Sequence, residues 1–288
     1  MGNCAAVPQS ELGRCTGISG LGAVPLMVMR CYLDGSESHE SREHKWLTLV
    51  GYLANDAFWA RFDAEWKQML HERYPIAPYI HMRELVNHED PFDVGWTSDK
   101  VNALVNDALQ LLSRIGAREY LSVVISIDLT AHKALVDRGS KISEPFQLCA
   151  NLCIGKAFSW YFESKVDSLE PAYVFFDRGE QYYPVFQRQW LACRTPPRHI
   201  VKVNPFWDWI ANVEEVDMAT TPAIQACDML AWGTTRSLLK RVRPFRDLER
   251  MIAKFGGLLS SNFLDQVGYT DHLVLKTNLT SLESGRLQ

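Results

Sequence analysis

The sequence predicts an α/β domain built on a mixed β-sheet flanked by helices. Two apolar runs of strand character follow one another near the start, over 26–33 and 46–53, and successive strands of this kind pair antiparallel. From residue 120 onward, short apolar runs alternate with segments of helical period, the pattern of a sheet with parallel members and helices on its faces. The chain has 288 residues, 47% of them hydrophobic, which is enough to bury a sizeable core. Charged residues at 22% and aromatics at 11% exclude wholesale disorder and collagen-like structure.

The elements follow in order. Residues 1–25 lack hydrophobic periodicity and read as a poorly ordered arm. Its start, Met1-Gly2-Asn3-Cys4, lacks the Ser or Thr that myristoylation wants at the position held by Ala6. The uncharged stretch Cys15–Met29 is broken by Gly17, Gly20, Gly22 and Pro25 and is too short to span a bilayer, so no membrane partner is expected. The first strand is expected to close at Asp34-Gly35-Ser36. A helix is predicted over 56–73 with Asp56 as its cap, because Phe58, Trp59, Phe62, Trp66 and Met69 recur at helical spacing. An extended piece at Tyr79-Ile80 leads into His81-Met82-Arg83-Glu84-Leu85, and Ser98 caps a helix running to Arg114. Strands then fall at 120–127, 172–176 and 199–203, and helices at 144–162, 183–193 and from Pro222 to about residue 240. The main domain is expected at 26–243, and residues 244–288 read as a helical and irregular appendage.

Seven cysteines, an odd number in apolar contexts, are the usage of a reducing compartment and point to a cytoplasmic address. Cys149 and Cys153 stand one turn apart with no second pair or matching histidines, which reads as core rather than zinc.

Chemistry is concentrated in carboxylates. Three apolar strands run into aspartate, at Asp34, Asp128 and Asp177, and ligand sites in open α/β sheets lie beyond the carboxyl ends of parallel strands. Asp after a strand also starts turns and caps helices. A fourth, Asp228, is embedded in the small and apolar helix Pro222-Ala223-Ile224-Gln225-Ala226-Cys227-Asp228-Met229-Leu230-Ala231-Trp232, with Gln225 on the same face. A carboxylate there needs a cation, water or a basic partner such as Arg236. Two carboxylates about 4 Å apart repel by roughly 4 kcal/mol at an effective dielectric near 20. A divalent cation removes that penalty, and oxygen-only ligands select Mg²⁺ or Mn²⁺ over zinc. Two such ions about 3.5–4 Å apart activate water and stabilise the leaving oxygen in phosphodiester hydrolysis.

Four segments occur in a distinctive order: Tyr32-Leu33-Asp34-Gly35-Ser36-Glu37-Ser38 with Val50-Gly51-Tyr52; His81-Met82 followed by Glu84; Phe175-Phe176-Asp177-Arg178-Gly179-Glu180; and Pro222-x-x-Gln225-x-x-Asp228 followed by Leu230-Ala231-Trp232. Over residues 28–240 the chain resembles the family called domain of unknown function 3800, whose fold is ribonuclease H-like. Gly35 stands where that family carries a second acidic residue, with Glu37 two positions on. The resemblance implies a ribonuclease H-like mixed sheet with the first strand central. It also implies a metal-dependent, nuclease-like site held by Asp34, which would bridge two ions, with Asp177 and Asp228. Glu37, Glu84 and Glu180 are the candidates for a fourth ligand, and Asp128 has no family counterpart. His81 is a candidate to protonate the leaving oxygen or assist water.

The reading is a Mg²⁺- or Mn²⁺-dependent hydrolase acting on a nucleic-acid or nucleotide phosphodiester. Its rival is a non-catalytic binding or scaffold protein that keeps the fold with an incomplete site, which Gly35 favours. The net charge of −4 points to a short or small phosphorylated substrate, or to a restricted basic patch such as Lys240, Arg241, Arg243 and Arg246. Phe206-Trp207-Asp208-Trp209 reads as core packing or as a base-stacking platform. His39, His44, His71 and His88 read as surface residues. Gly17-x-x-Gly20-x-Gly22 precedes a strand instead of following one into a helix, which argues against a dinucleotide fingerprint.

Overall fold

Strand β1 (Met29–Glu37) pairs antiparallel with β2 (Trp46–Asn55) along its whole length, Asp34 opposite Val50 and Glu37 opposite Leu47. The turn-like residues Asp34-Gly35-Ser36 therefore do not close the strand, because the ladder to β2 satisfies their backbone groups in the extended form. This computed structural model describes residues 28–37, 46–116, 120–139, 143–164, 170–194 and 205–238. The expected arm (1–25), the appendage (244–288), the strand at 199–203, the basic run from Lys240 to Arg246, and His39 and His44 lie outside the described residues.

Helix α1 (Asp56–Arg73) buries Phe58, Trp59, Phe62, Trp66 and Met69 as their spacing dictates. Its cap is Asn55 rather than Asp56: the Asn55 side chain accepts from Phe58 N at 2.8 Å, while Asp56 accepts from Arg30 Nε at 2.5 Å. The short α2 (Met82–Asn87) and the long α3 (Ser98–Gly116) follow. Thr97, not Ser98, caps α3, with Thr97 O accepting from Val101 N at 2.9 Å. Then come β3 (Tyr120–Asp128), α4 (Leu129–Asp137), α5 (Pro145–Ser164), β4 (Ala172–Asp177), α6 (Tyr182–Arg194), α7 (Pro205–Trp209) and β5 (Ile210–Val216). A 3₁₀ turn (Met218–Thr220) leads into α8 (Pro222–Leu238). The sequence pattern does not predict four of the helices and strands, α2, α4, α7 and β5.

Among the described residues, the sheet has five strands in the order β3-β2-β1-β4-β5. β2 is antiparallel to both β1 and β3, and β4 is parallel to β1 and to β5. The fold is thus α/β with a mixed sheet, and β1 is its central strand.

Side-chain alternation sends successive residues of β1 to opposite faces. Tyr32, with Val50, Tyr52 and Phe175, faces a core made with α1, α3 and α8. Cys31 and Leu33, with Leu49, Val174 and Phe176, face a second core made with α5, α6 and α7. The sheet is covered on both sides, which is why its strands are almost continuously apolar. Cys149 and Cys153 are buried free thiols in the second core, and Phe206, Trp207 and Trp209 pack there too. Among the described residues, no helix is long and apolar enough to cross a membrane.

Candidate functional site

Leu33 and Phe176 are partners in the parallel β1–β4 ladder, so the residues that follow them, Asp34 and Asp177, stand on neighbouring strands at one rim. Alternation puts Asp34 on the face of Tyr32 and Asp177 on the face of Phe175, two rings that stack with centroids 4.9 Å apart. Helix α8 lies across this face, where Cys227 Sγ donates to Tyr32 O at 3.3 Å. Asp228 follows directly. Glu180 comes from the turn after β4, which Gly179 makes with φ of +86°, a conformation that favours glycine.

These four carboxylates share one electrostatic field. Asp34 is 2% exposed and Asp228 is 6% exposed. Burial holds the Asp34 carboxyl well above the usual range, and the charges of Asp228, Glu180 and Asp177 push it further. Burial, then Asp177 and Asp228, raises Glu180 to about 7. Burial raises Asp228 to about 6 against the opposing pull of His81 and the Met82 N–H. Asp177 is raised too, by burial, with N–H groups of Arg178 and Met218 working against it. An arginine partner would lower such a group. Burial outweighs the lowering pull on Asp228, and the guanidinium of Arg236 lies over the Trp232 ring at 5.3 Å.

Main-chain hydrogen bonds fix one oxygen of Asp228 and one of Asp177. Asp228 Oδ2 accepts from Met82 N at 2.5 Å, and Asp177 Oδ1 accepts from Met218 N at 3.1 Å. Asp34 Oδ2 is buried and accepts no hydrogen bond. Such an orphaned oxygen asks for an unplaced cation, proton or water.

The other candidates fall around this group. His81 Nδ1 lies 3.0 Å from Glu84 Oε1, and Glu84 Oε2 accepts from Tyr79 OH at 2.8 Å. Glu84 is thus engaged with His81 and Tyr79, and its charge also raises Asp228. Glu37, at the end of β1, adds to the field on Glu180. Of the three candidates for a fourth carboxylate, Glu180 feels the charges of Asp177 and Asp228 and interacts with Asp34 in both directions. Asp128 lies at the same rim with β2 between it and β1, and its Oδ1 accepts from Thr130 N at 2.8 Å at the start of α4. It caps a helix.

Gly35 has a structural cause. A Cβ at this position would lie 2.3 Å from Tyr182 Cε2. The Tyr182 ring is 1% exposed, packs edge-on against Phe146 with centroids 5.0 Å apart, and donates its hydroxyl to Thr48 O at 3.1 Å. No acidic side chain fits there beside that ring.

Oxygen-only donors with one orphaned oxygen suit a hard divalent cation. Among the described residues, no group of three or more His, Cys, Asp or Glu side chains is arranged to hold a metal ion. Nothing in the residue pattern marks the Met218 N–H that holds Asp177, since almost every residue carries the same main-chain donor.

No protein-family model and no curated protein matches the sequence. Among solved structures, a chain of the PCNA:RNase HII complex from Archaeoglobus fulgidus is similar, with 12% identity and a TM-score of 0.31, over 84% of this chain and 90% of that one.

Proposed function

We propose that the chain is a metal-dependent phosphodiesterase of nuclease type, acting on nucleic acid or a nucleotide, and that it is a ribonuclease H-like member of the domain of unknown function 3800 family. The central first strand in the order β3-β2-β1-β4-β5 supports the fold assignment. One observation carries the function: the charges of Asp228, Glu180 and Asp177 raise the pKa of Asp34, and those of Asp177 and Asp228 raise Glu180, at a rim where Asp34 Oδ2 has no hydrogen-bond partner.

Asp34, Asp177 and Asp228, with Glu180, would hold Mg²⁺ or Mn²⁺. When bound, such an ion supplies Lewis-acid activation of water and neutralises the leaving oxygen. The chain's own residues set the rest. Met218 N and Met82 N orient the Asp177 and Asp228 carboxyls, fixing which oxygen of each is left for the ion. An ionised carboxylate only accepts, so the Glu84 contact puts the imidazole proton of neutral His81 on Nδ1 and leaves Nε2 as the basic nitrogen. His81 at this rim is suited to hold a proton and pass it to the leaving oxygen.

Gly35 keeps a second reading in view, a binding or scaffold protein that retains the fold without the full ligand set. Incubation of the protein with labelled single- and double-stranded DNA and RNA separates the two. Cleavage in Mn²⁺ that is lost in EDTA and in Asp34→Asn supports the enzyme. Intact substrates throughout, together with no heat of Mn²⁺ binding by calorimetry, sink it.

A further inference from the structure

Gln225 does more in this fold than pack helix α8. Its side chain is 2% exposed and makes three hydrogen bonds to three different segments. Oε1 accepts from Trp66 Nε1 of α1 at 2.8 Å and from Ile80 N at 3.0 Å. Nε2 donates to Met218 O at 2.9 Å. One turn along the same face, Asp228 Oδ2 takes the N–H of Met82.

The segment gripped in this way is extended at His81, with φ −132° and ψ 112°. In an extended chain, alternate N–H groups point the same way. Two acceptors spaced i and i+3 on a helix therefore take the N–H groups of Ile80 and Met82, much as a neighbouring strand would. His81 sits between the two anchors. The other end of the same amide holds Met218 O, while Met218 N holds Asp177 Oδ1. A single side chain thus links the backbone that carries His81 to the turn that orients Asp177, from the helix that supplies Asp228.

We propose that Gln225 is a positioning residue, which sets the His81 imidazole against the Asp177–Asp228 carboxylates. The inference rests on the phosphodiesterase reading for its kinetic consequence, though not for its structural one. Misplacing a catalytic group by about 1 Å costs about 100-fold in rate. A group that acts only on the chemical step changes kcat and leaves KM in place.

The test uses the full chain labelled with ¹⁵N-histidine. The His81 ring resonances are assigned by their loss in His81→Asn. His132, whose Nε2 lies 2.9 Å from Ser143 O at α4, reports independently on the fold. In Gln225→Met the His81 resonances are expected to move while those of His132 stay at their wild-type positions. Cleavage in Mn²⁺ is expected to lose about 10- to 100-fold in kcat with KM within about twofold. Gln225→Glu keeps an acceptor oxygen for Ile80 N and Trp66 Nε1, and is expected to bring the His81 resonances back toward wild type. Unmoved His81 resonances in folded Gln225→Met overturn the proposal. So does joint loss of the His81 and His132 signals in both variants, which marks Gln225 as a general stability residue. A wild-type protein that cleaves nothing overturns the phosphodiesterase reading instead, and the ring resonances still decide the positioning of His81.

Discussion

Asp34 is the residue at which the cost of the site is concentrated. It is buried within a paired strand, opposite Val50, with one oxygen unpartnered and three like charges near it. Carboxyls raised in the folded state favour folding when protonated. For Asp228, at about 6 against 3.8, and Glu180, at about 7 against 4.5, this contribution is complete below about pH 4 and is lost as pH rises through 6 to 7. At 1.36 kcal/mol per pH unit, Asp228 alone is worth about 3 kcal/mol. Asp34→Asn removes one charge from the group. In EDTA the variant should be more stable than wild type at pH 7–8, by about 1–3 kcal/mol, with the gap closing toward pH 4. Urea melts at several pH values measure it, and a pH-independent loss of stability in the variant would contradict the repelling cluster. The main acids were legible in the sequence because a carboxylate amid apolar residues is costly wherever it lies. Glu84 was legible only as an acid, since its pairing with His81 and Tyr79 depends on how residues 79–84 turn into α2.

At the scale of elements, most helices and strands could be read from periodicity, and the misses have local causes. β5 is an edge strand with Glu214 and Glu215 exposed. A register shift against β4 at Ala172/Tyr173 leaves its buried residues, Ile210 and Val213, three apart instead of two. That spacing hides a strand from any period-2 reading. β1 was expected to stop at Asp34-Gly35-Ser36 because those residue types make turns, yet pairing with β2 overrides the preference. The same stretch ties β1 to α6. Gly35→Ala drives a Cβ into the buried Tyr182 ring, and overpacking of this sort costs typically 1–3 kcal/mol. Tyr182→Leu in the same chain removes the ring and should recover most of that loss, so the two changes will be strongly non-additive. A denaturant double-mutant cycle reads the coupling. If Gly35→Ala is neutral by itself, the ring does not account for the missing acid.

The molecule as a whole places two cores on opposite faces of one sheet, joined through the central strands β1 and β4. Those two strands also carry Asp34 and Asp177, so the acidic rim is part of the frame that both cores share. A cation held there binds only the folded arrangement, because the unfolded chain scatters residues 34, 177 and 228. Its binding free energy therefore appears as resistance of the whole domain to melting, not as a local effect. At a free Mn²⁺ concentration 100 times Kd the gain is about 2.7 kcal/mol. For a domain of this size each kcal/mol moves the melting temperature by about 2–4 °C, which gives a shift of about 5–10 °C. Asp34→Asn and Asp228→Asn should each flatten the Mn²⁺ dependence, while their EDTA melts stay at or above wild type. Asp128→Asn should leave the Mn²⁺ shift intact, because Asp128 caps α4 on the far side of β2 and contributes to folding alone. Scanning calorimetry of the four proteins, with and without Mn²⁺, separates the two roles of strand-end aspartate. An equal Mn²⁺ shift in Asp34→Asn and wild type would remove the cation from this rim and leave the raised carboxyls as a purely structural strain.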